Sequence, residues 1–151
     1  MTDDPFFNSV KNHFQYLVRE FGFKVVREKT YPHFDFAHVV FRSDDSLVKV
    51  SREKGVVMVD ISPVISPEYW VDLPAIMEYL FKEVDTGINE TKFSDDSDAG
   101  IDRQVEHWAG VYKPICTKIS PLTRDASQWA ELKIFLEKRN EKWFEGLSNR
   151  Q

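Results

Sequence analysis

The chain has 151 residues, of which 42% are hydrophobic and 14% are aromatic, and it carries a net charge of −5 and a single cysteine, Cys116. This length and composition predict one domain with a sizeable core, and they exclude a disordered polymer, a disulfide scaffold and a protein with a membrane-spanning apolar run of roughly 20 residues. The acidic balance argues against nucleic acid as a partner, and the lack of a secretion-signal pattern at the N-terminus leads us to expect a cytoplasmic protein.

The first predicted element is an N-terminal helix within residues 3–22. Its apolar residues recur at steps of three and four, which places them on one helical face. They are Phe6, Phe7, Val10, Phe14, Leu17, Val18 and Phe21. Asp3 or Asp4 can cap this helix, and Pro5 suits its first turn. Gly22 suits the position just past its end.

Four runs rich in valine and phenylalanine follow the helix. They are FKVVREKTY, HFDFAHVVFRS, SLVKVSR and GVVMVDIS. The separators between them are short enough for hairpins and too short for parallel crossovers, so we predict a four-stranded antiparallel meander. The second run is apolar at both parities, which indicates an inner strand of that sheet.

The chain after the sheet is predicted to contain three helical segments. Asp72 can cap the first, and helical periodicity resumes at about Ile101, in a segment that Pro114 should kink or end. Asp125 and Gln128 together predict a capping box for the last helix.

These elements predict a single α+β domain over residues 1–151, with the helices packed on one face of the sheet. Residues 1–84 form the first helix, the sheet and a helix. Residues 85–100 lack periodicity and carry clustered negative charge, which predicts an exposed acidic loop. Residues 101–147 form the C-terminal helices.

Asp60 is the carboxylate most like an active-site residue. In GVVMVDISP it lies on the strand face opposite the branched aliphatic residues. The earlier strands offer His38 and Arg42 as partners, so one hypothesis is a small-molecule-binding or hydrolytic pocket formed by these three residues. The structural alternative is a cross-strand pair between Asp60 and a lysine or arginine of the neighbouring strand.

Local signatures of metal sites, phosphate loops and nucleophiles are missing from the sequence. The stretch that begins at Asp95 approaches a calcium loop, with Gly100 and Glu106 in suitable positions, but Ala99 cannot be a ligand. The histidines lack the helical pairing or the cysteine neighbours of a zinc site. They are His13, His33, His38 and His107. We therefore predict no metal, no cofactor and a non-enzymatic protein.

Three stretches carry a resemblance to known proteins. They are YLVREFGFKVV (Tyr16 to Val26), KGVVMVDISP (Lys54 to Pro63) and EYWVDL (Glu68 to Leu73), the last followed by an amphipathic helix. In this order they resemble a group of small uncharacterised bacterial α+β proteins, some of which look like immunity partners in toxin–antitoxin or contact-dependent competition loci. The resemblance covers about the first 85 residues. It implies no catalytic residues, and it implies that the function is to bind a protein, either a toxin or another copy of the chain.

The leading hypothesis from the sequence is thus a protein-binding domain, in its specific form an immunity protein, whose acidic surface meets a basic partner such as a toxin. Acidic residues would steer association and an aromatic residue would supply affinity. The candidate residues are Asp44, Asp45, Tyr69, Trp70, Asp95, Asp96 and Asp98. A further hypothesis is a structural module that self-associates through its exposed sheet face or a C-terminal helix.

Overall fold

The computed structural model of the chain describes residues 4–67, 69–81 and 97–148, with side chains up to residue 141. A helical segment, an antiparallel sheet and further helices follow one another along the chain, so the predicted α+β class is confirmed. The helices are α1 (Pro5–His13), α2 (Gln15–Glu20), α3 (Leu73–Phe81), α4 (Asp98–Tyr112), α5 (Cys116–Arg124) and α6 (Ala126–Ser148). The strands are β1 (Lys24–Tyr31), β2 (Phe36–Arg42), β3 (Ser46–Glu53), β4 (Val56–Pro63) and β5 (Val71–Asp72).

The predicted N-terminal helix is divided into α1 and α2 at Phe14, whose backbone leaves the helical region with φ −98° and ψ 15°. The predicted signals at its ends are present. The carboxylate of Asp4 accepts a hydrogen bond from the backbone N–H of Phe6 at 2.9 Å. Gly22 adopts a φ of 73° after α2, a left-handed conformation that glycine reaches without steric strain.

The sheet has the order β1-β2-β3-β4-β5, with every neighbouring pair antiparallel. The predicted meander forms its first four strands, and β2 is an inner strand as predicted. The additional strand β5 pairs Val71 with Ile61 and Asp72 with Asp60. It has only two residues, too few for any period in hydrophobicity to show. The sequence-based assignment of this segment to a connector is therefore corrected to a short edge strand.

One face of the sheet, which we call the inner face, packs against the helices. Its side chains are Ala37, Val39, Phe41, Val48, Val50, Val57, Val59 and Ile61, all at most 2% exposed. The ring of Phe14 lies 6.2 Å from that of Phe41. Burial of such apolar area supplies the main driving force for folding, at about 25 cal/mol per Å².

Polar side chains fasten α1 and α4 to the sheet. Arg52 of β3 makes a bidentate ion pair with Asp4, at 3.0 and 3.1 Å. Gln104 of α4 accepts from the backbone N–H of Val57 at 2.9 Å and donates to the carbonyl of Gly55 at 2.9 Å. Trp108 donates to the carbonyl of Val57 at 3.1 Å. These side chains satisfy part of the β4 edge, which would otherwise expose unpaired backbone groups.

The helices after the sheet begin and end near the predicted positions. Asp72 accepts from the backbone N–H of Ala75 at 2.9 Å, which confirms the predicted cap of α3. Helix α4 begins at Asp98, three residues before the predicted start, because Ser97 caps it. Helix α4 gives way to a 3-10 turn over Lys113–Ile115, which contains Pro114.

Asp125 precedes α6 and accepts hydrogen bonds from the backbone of Ser127 and the side chain of Gln128. Of the predicted acidic loop, residues 85–96 lie outside the described part of the chain. Among the helices of the described residues, none combines the length and the hydropathy that a membrane span requires.

Candidate functional site

The outer face of the sheet, opposite the inner face, carries a cluster of positive charge. The strand register places Lys24, Arg27 and Lys29 of β1 on this face together with Arg42 of β2. All of them are exposed. None of them has a carboxylate ion-pair partner in the part of the chain that the structure describes. We call this group of cations the cationic face.

His38 lies among these cations, opposite Lys29 in the neighbouring strand. Its side chain is only 8% exposed, and neither ring nitrogen has a hydrogen-bond partner among the described residues. The rings of Tyr31 and Phe36 lie 6.4 and 5.6 Å from the imidazole. Burial lowers the pKa of His38, and the charges of Arg27, Lys49 and Lys29 lower it further. The imidazole is therefore neutral at neutral pH, and its nitrogens have no hydrogen-bond partner in the part of the chain that the structure describes.

Asp60 also lies on the outer face, as predicted, and Lys49 stands directly opposite it on β3. Burial raises the pKa of Asp60. The charge of Lys49 opposes this shift, and the charge of Asp72 adds to it. This arrangement fits the cross-strand alternative considered from the sequence.

The structure does not bring the three residues of the hypothetical pocket side by side. His38 lies opposite Ser51, and Arg42 lies opposite Leu47. The residue opposite Asp60 on β3 is Lys49, so the whole width of β3 separates Asp60 from the other two.

A cavity of about 280 Å³ opens between the turn joining β2 and β3 and helix α5, and we call it the turn cleft. Its walls include Ser43, Asp44, Asp45, Ser46, Tyr112, Cys116, Thr117, Ser120 and Arg124. Tyr112 is 1% exposed, and no hydrogen bond joins its hydroxyl to another described residue. Burial raises the pKa of the Cys116 thiol, which favours its protonated, less nucleophilic form.

Asp45 is engaged within this cleft. Its carboxylate accepts hydrogen bonds from Ser120 at 2.8 Å, Ser46 at 3.1 Å, and Arg124 and Ser43 at 3.2 Å. Burial raises its pKa, but these hydrogen bonds outweigh burial and lower the pKa of Asp45. The residue therefore ties α5 to the turn. Asp44 beside it is exposed at the mouth of the cleft.

The remaining described candidates from the sequence contact different parts of the molecule. The ring of Trp70 lies 4.4 Å from Nζ of Lys49, and the ring of Tyr69 lies 3.3 Å from Nζ of Lys133 on α6. Asp98 lines a small cavity beside Arg52, near the end of β3 opposite to the turn that holds Asp44.

Asp95 and Asp96 lie outside the described residues. The described candidates therefore do not form one acidic patch.

Sequence reasoning missed the cationic face. Simple alternation already puts Arg27, Lys29 and Tyr31 on one side of β1, and this was the available signal. A bulge between Val25 and Arg27 shifts the register and brings Lys24 to the same side. That shift depends on pairing with β2 and cannot be read from β1 alone.

No protein-family model matches the chain, and no match was found among curated proteins or among solved structures.

Proposed function

We propose that the chain is a non-enzymatic protein-binding domain that docks an acidic segment of its partner on the cationic face. One observation carries this proposal: exposed cations without carboxylate partners in the described structure surround a buried His38 whose nitrogens have no partner there. Clustered like charges repel each other and a buried unsatisfied imidazole costs about 1–3 kcal/mol, so both are unfavourable in the free protein. A carboxylate-rich segment would relieve the repulsion between the cations. It would also pair with the imidazole of His38 where the side chains that cover this ring move on binding.

The surroundings of the cationic face suit a protein partner. The apolar rings of Tyr31 and Phe36 border His38, and Phe34 at the adjoining turn is 72% exposed. Aromatic side chains beside a charged rim are typical of binding surfaces, in which apolar contact supplies affinity and charge supplies specificity and association rate.

A protein segment fits this face better than a nucleic acid. Glu53 and Asp60 occupy outer-face positions on β3 and β4. They limit the positive surface to the β1 side of the sheet, and a long phosphate backbone would meet their charges. The net charge of −5 opposes nucleic acid at longer range.

The more specific form of the proposal is that the partner is a toxin and the chain is its immunity protein. This form rests on the resemblance of the first 85 or so residues to small bacterial immunity-like proteins. The hypothesis drawn from the sequence has an acidic surface that meets a basic partner. The present form instead has a cationic face that meets an acidic segment of the partner. The acidic candidates Asp44 and Asp98 stay a prediction for a second, basic contact.

The binding proposal can be tested by selecting short random peptides displayed on phage against the protein. The test variant combines Lys24→Glu, Arg27→Glu and Lys29→Glu. The matched control combines Arg19→Glu, Lys118→Glu and Lys138→Glu, which makes the same change in net charge on exposed helical positions. We expect acidic peptides from wild type and control, and binding weaker by about tenfold or more in the test variant.

Peptides that bind the test variant as tightly as they bind wild type would contradict the proposal. So would a single-stranded oligonucleotide that outcompetes every selected peptide. For the immunity form, the chain is co-expressed with the product of an adjoining reading frame that arrests growth. Rescue by wild type and by the control, but not by the test variant, is the expected result.

A second candidate function is binding of a small polar molecule in the turn cleft, which the 280 Å³ volume and the Tyr112 hydroxyl favour. It replaces the hypothetical pocket at Asp60. A fragment screen followed by NMR should shift the resonances of Ser120 and Tyr112 in wild type. The variant Thr117→Trp, which fills the cleft, should show no such shifts. A screen without any ligand at these residues would remove this candidate.

A further inference from the structure

Helices α1 and α4 bring an imidazole and two carboxylates together on the side of the fold away from the cationic face. The residues are His13, Asp102 and Glu106. Nε2 of His13 lies 3.0 Å from Oδ1 of Asp102, and the ligand atoms of all three residues lie within 4.8 Å of one another. Eighty-nine positions separate His13 from Asp102 in the sequence, so the cluster exists only because the two helices pack.

The helical repeat explains how these side chains meet. Asp102 and Glu106 are four residues apart on α4 and therefore share one face of it. His13 is the last residue of α1, and Ser9, one turn earlier, shares its face. The hydroxyl of Ser9 donates to Oδ1 of Asp102 at 2.6 Å. This hydrogen bond fixes the orientation of the carboxylate, as outer hydrogen bonds commonly do for metal ligands.

We propose that His13, Asp102 and Glu106 bind a divalent first-row metal ion, with Zn²⁺ preferred, across the contact between α1 and α4. One nitrogen and two oxygen donors suit Zn²⁺, whereas Ca²⁺ and Mg²⁺ favour sites made of oxygen alone. Ligand atoms at about 2.0–2.2 Å from a tetrahedral ion stand roughly 3.3 Å from each other. The separation of His13 and Asp102 is close to this value.

Glu106 completes the set with a small movement. It is exposed, so its side chain is free to turn towards the other two ligands. His13 is more enclosed, with 18% of its side chain exposed, and it provides the fixed part of the site. Three protein ligands leave a fourth position for water. The bound ion would join the N-terminal helix to α4 and so stabilise the fold.

The proposal revises the expectation that the chain holds no metal. Zinc motifs are recognised in a sequence when histidine or cysteine ligands follow one another at a fixed short spacing. Here the histidine ligand, His13, comes from a different helix than Asp102 and Glu106, so no such spacing exists.

The test is a titration of untagged, metal-free protein with Zn²⁺ by calorimetry and with Co²⁺ by visible absorbance. We expect one equivalent to bind. His13→Gln, Asp102→Asn and Glu106→Gln should each weaken binding by about tenfold or more. His107→Gln on the same helix is the matched control and should bind as wild type does. Ca²⁺ and Mg²⁺ in large excess should not displace Co²⁺, so the visible absorbance of the Co²⁺ complex should stay unchanged.

Glu106→Gln changes an exposed side chain, so we expect this variant to fold. Its affinity for Zn²⁺ therefore tests the proposal even where another variant unfolds. Zn²⁺ should also shift the imidazole NMR signals of His13 in wild type and leave those of His33 unchanged. The proposal fails with no saturable binding, with binding that survives Glu106→Gln, or with zinc-induced shifts confined to other histidines.

Discussion

On the inner face of the sheet, Val39 and Phe41 are fully buried, while the outer face of the same strand carries the exposed Arg42 and the unsatisfied His38. On the inner side, Arg52 of β3 pairs with Asp4 at the start of α1, and Gln104 of α4 bonds the edge of β4. The residues of the cationic face have no carboxylate partner among the described residues. One strand thus separates two roles, since one of its faces holds the fold together and the other is available to a partner.

The largest expected effect comes from the inner face. Phe41→Ala should lower the free energy of unfolding by about 3–5 kcal/mol, because it removes a fully buried ring and leaves a cavity. Arg42→Ala, one residue along and on the other face, should change it by less than about 0.5 kcal/mol. Urea unfolding monitored by tryptophan fluorescence measures both. Equal losses in the two variants would contradict the division between the faces.

This division also explains which parts of the fold sequence reasoning could predict. Apolar residues at both parities of the second run predict that β2 is an inner strand, and the structure places β2 between β1 and β3. The caps at Asp4 and Asp72 are local signals, and the structure confirms both.

The functional residues follow from pairing rather than from local pattern. The cationic face needs the register of β1 against β2, and the proposed metal ligands need two helices to meet. A prediction based on charged turns placed Asp45 on a binding surface. The structure shows its carboxylate engaged by α5 and its own turn.

A smaller effect on the free energy of unfolding is expected where Gln104 bonds the edge of β4. Gln104→Leu should lower the free energy of unfolding by about 2–4 kcal/mol, since it leaves the N–H of Val57 and the carbonyl of Gly55 without their partner. The edge of β4 is then more open to pairing with another chain, so aggregation should also rise. Gln15→Leu at an exposed position of α2 is the control. Urea unfolding and light scattering would report the two effects, and an unchanged variant would show that water satisfies this edge.

The two neighbouring aspartates of the turn cleft should differ by a smaller amount. Asp45→Asn weakens hydrogen bonds to Ser120 and Arg124 and should lower the free energy of unfolding by about 1–2 kcal/mol. Asp44→Asn should leave stability within about 0.5 kcal/mol of wild type, because its side chain is exposed. Thermal unfolding of the pair measures this difference. A larger loss at Asp44 would reverse the assignment of Asp45 as the structural residue.

The smallest effect has the opposite sign and belongs to the outer face. His38→Met should raise the free energy of unfolding by about 1 kcal/mol at pH 7.5, because a thioether of similar size replaces an imidazole with two unsatisfied nitrogens. The pKa of His38 is lowered in the folded protein, so the unfolded chain binds a proton first as the pH falls.

Above the ordinary pKa of 6.5, protonation of His38 does not change the free energy of unfolding. As the pH falls from 6.5 towards the folded pKa, the unfolded chain takes up the proton first and the free energy of unfolding decreases. Asp60, whose pKa is raised, acts in the reverse sense, with stability gained as the pH falls through its folded pKa. Wild type and His38→Met both contain Asp60, so the effect of Asp60 cancels in the difference between their free energies of unfolding. That difference should widen steadily below pH 6.5 in urea titrations. A constant difference would mean that His38 is hydrated or paired in solution, and the cationic face would then lose the unsatisfied group on which its proposed role depends.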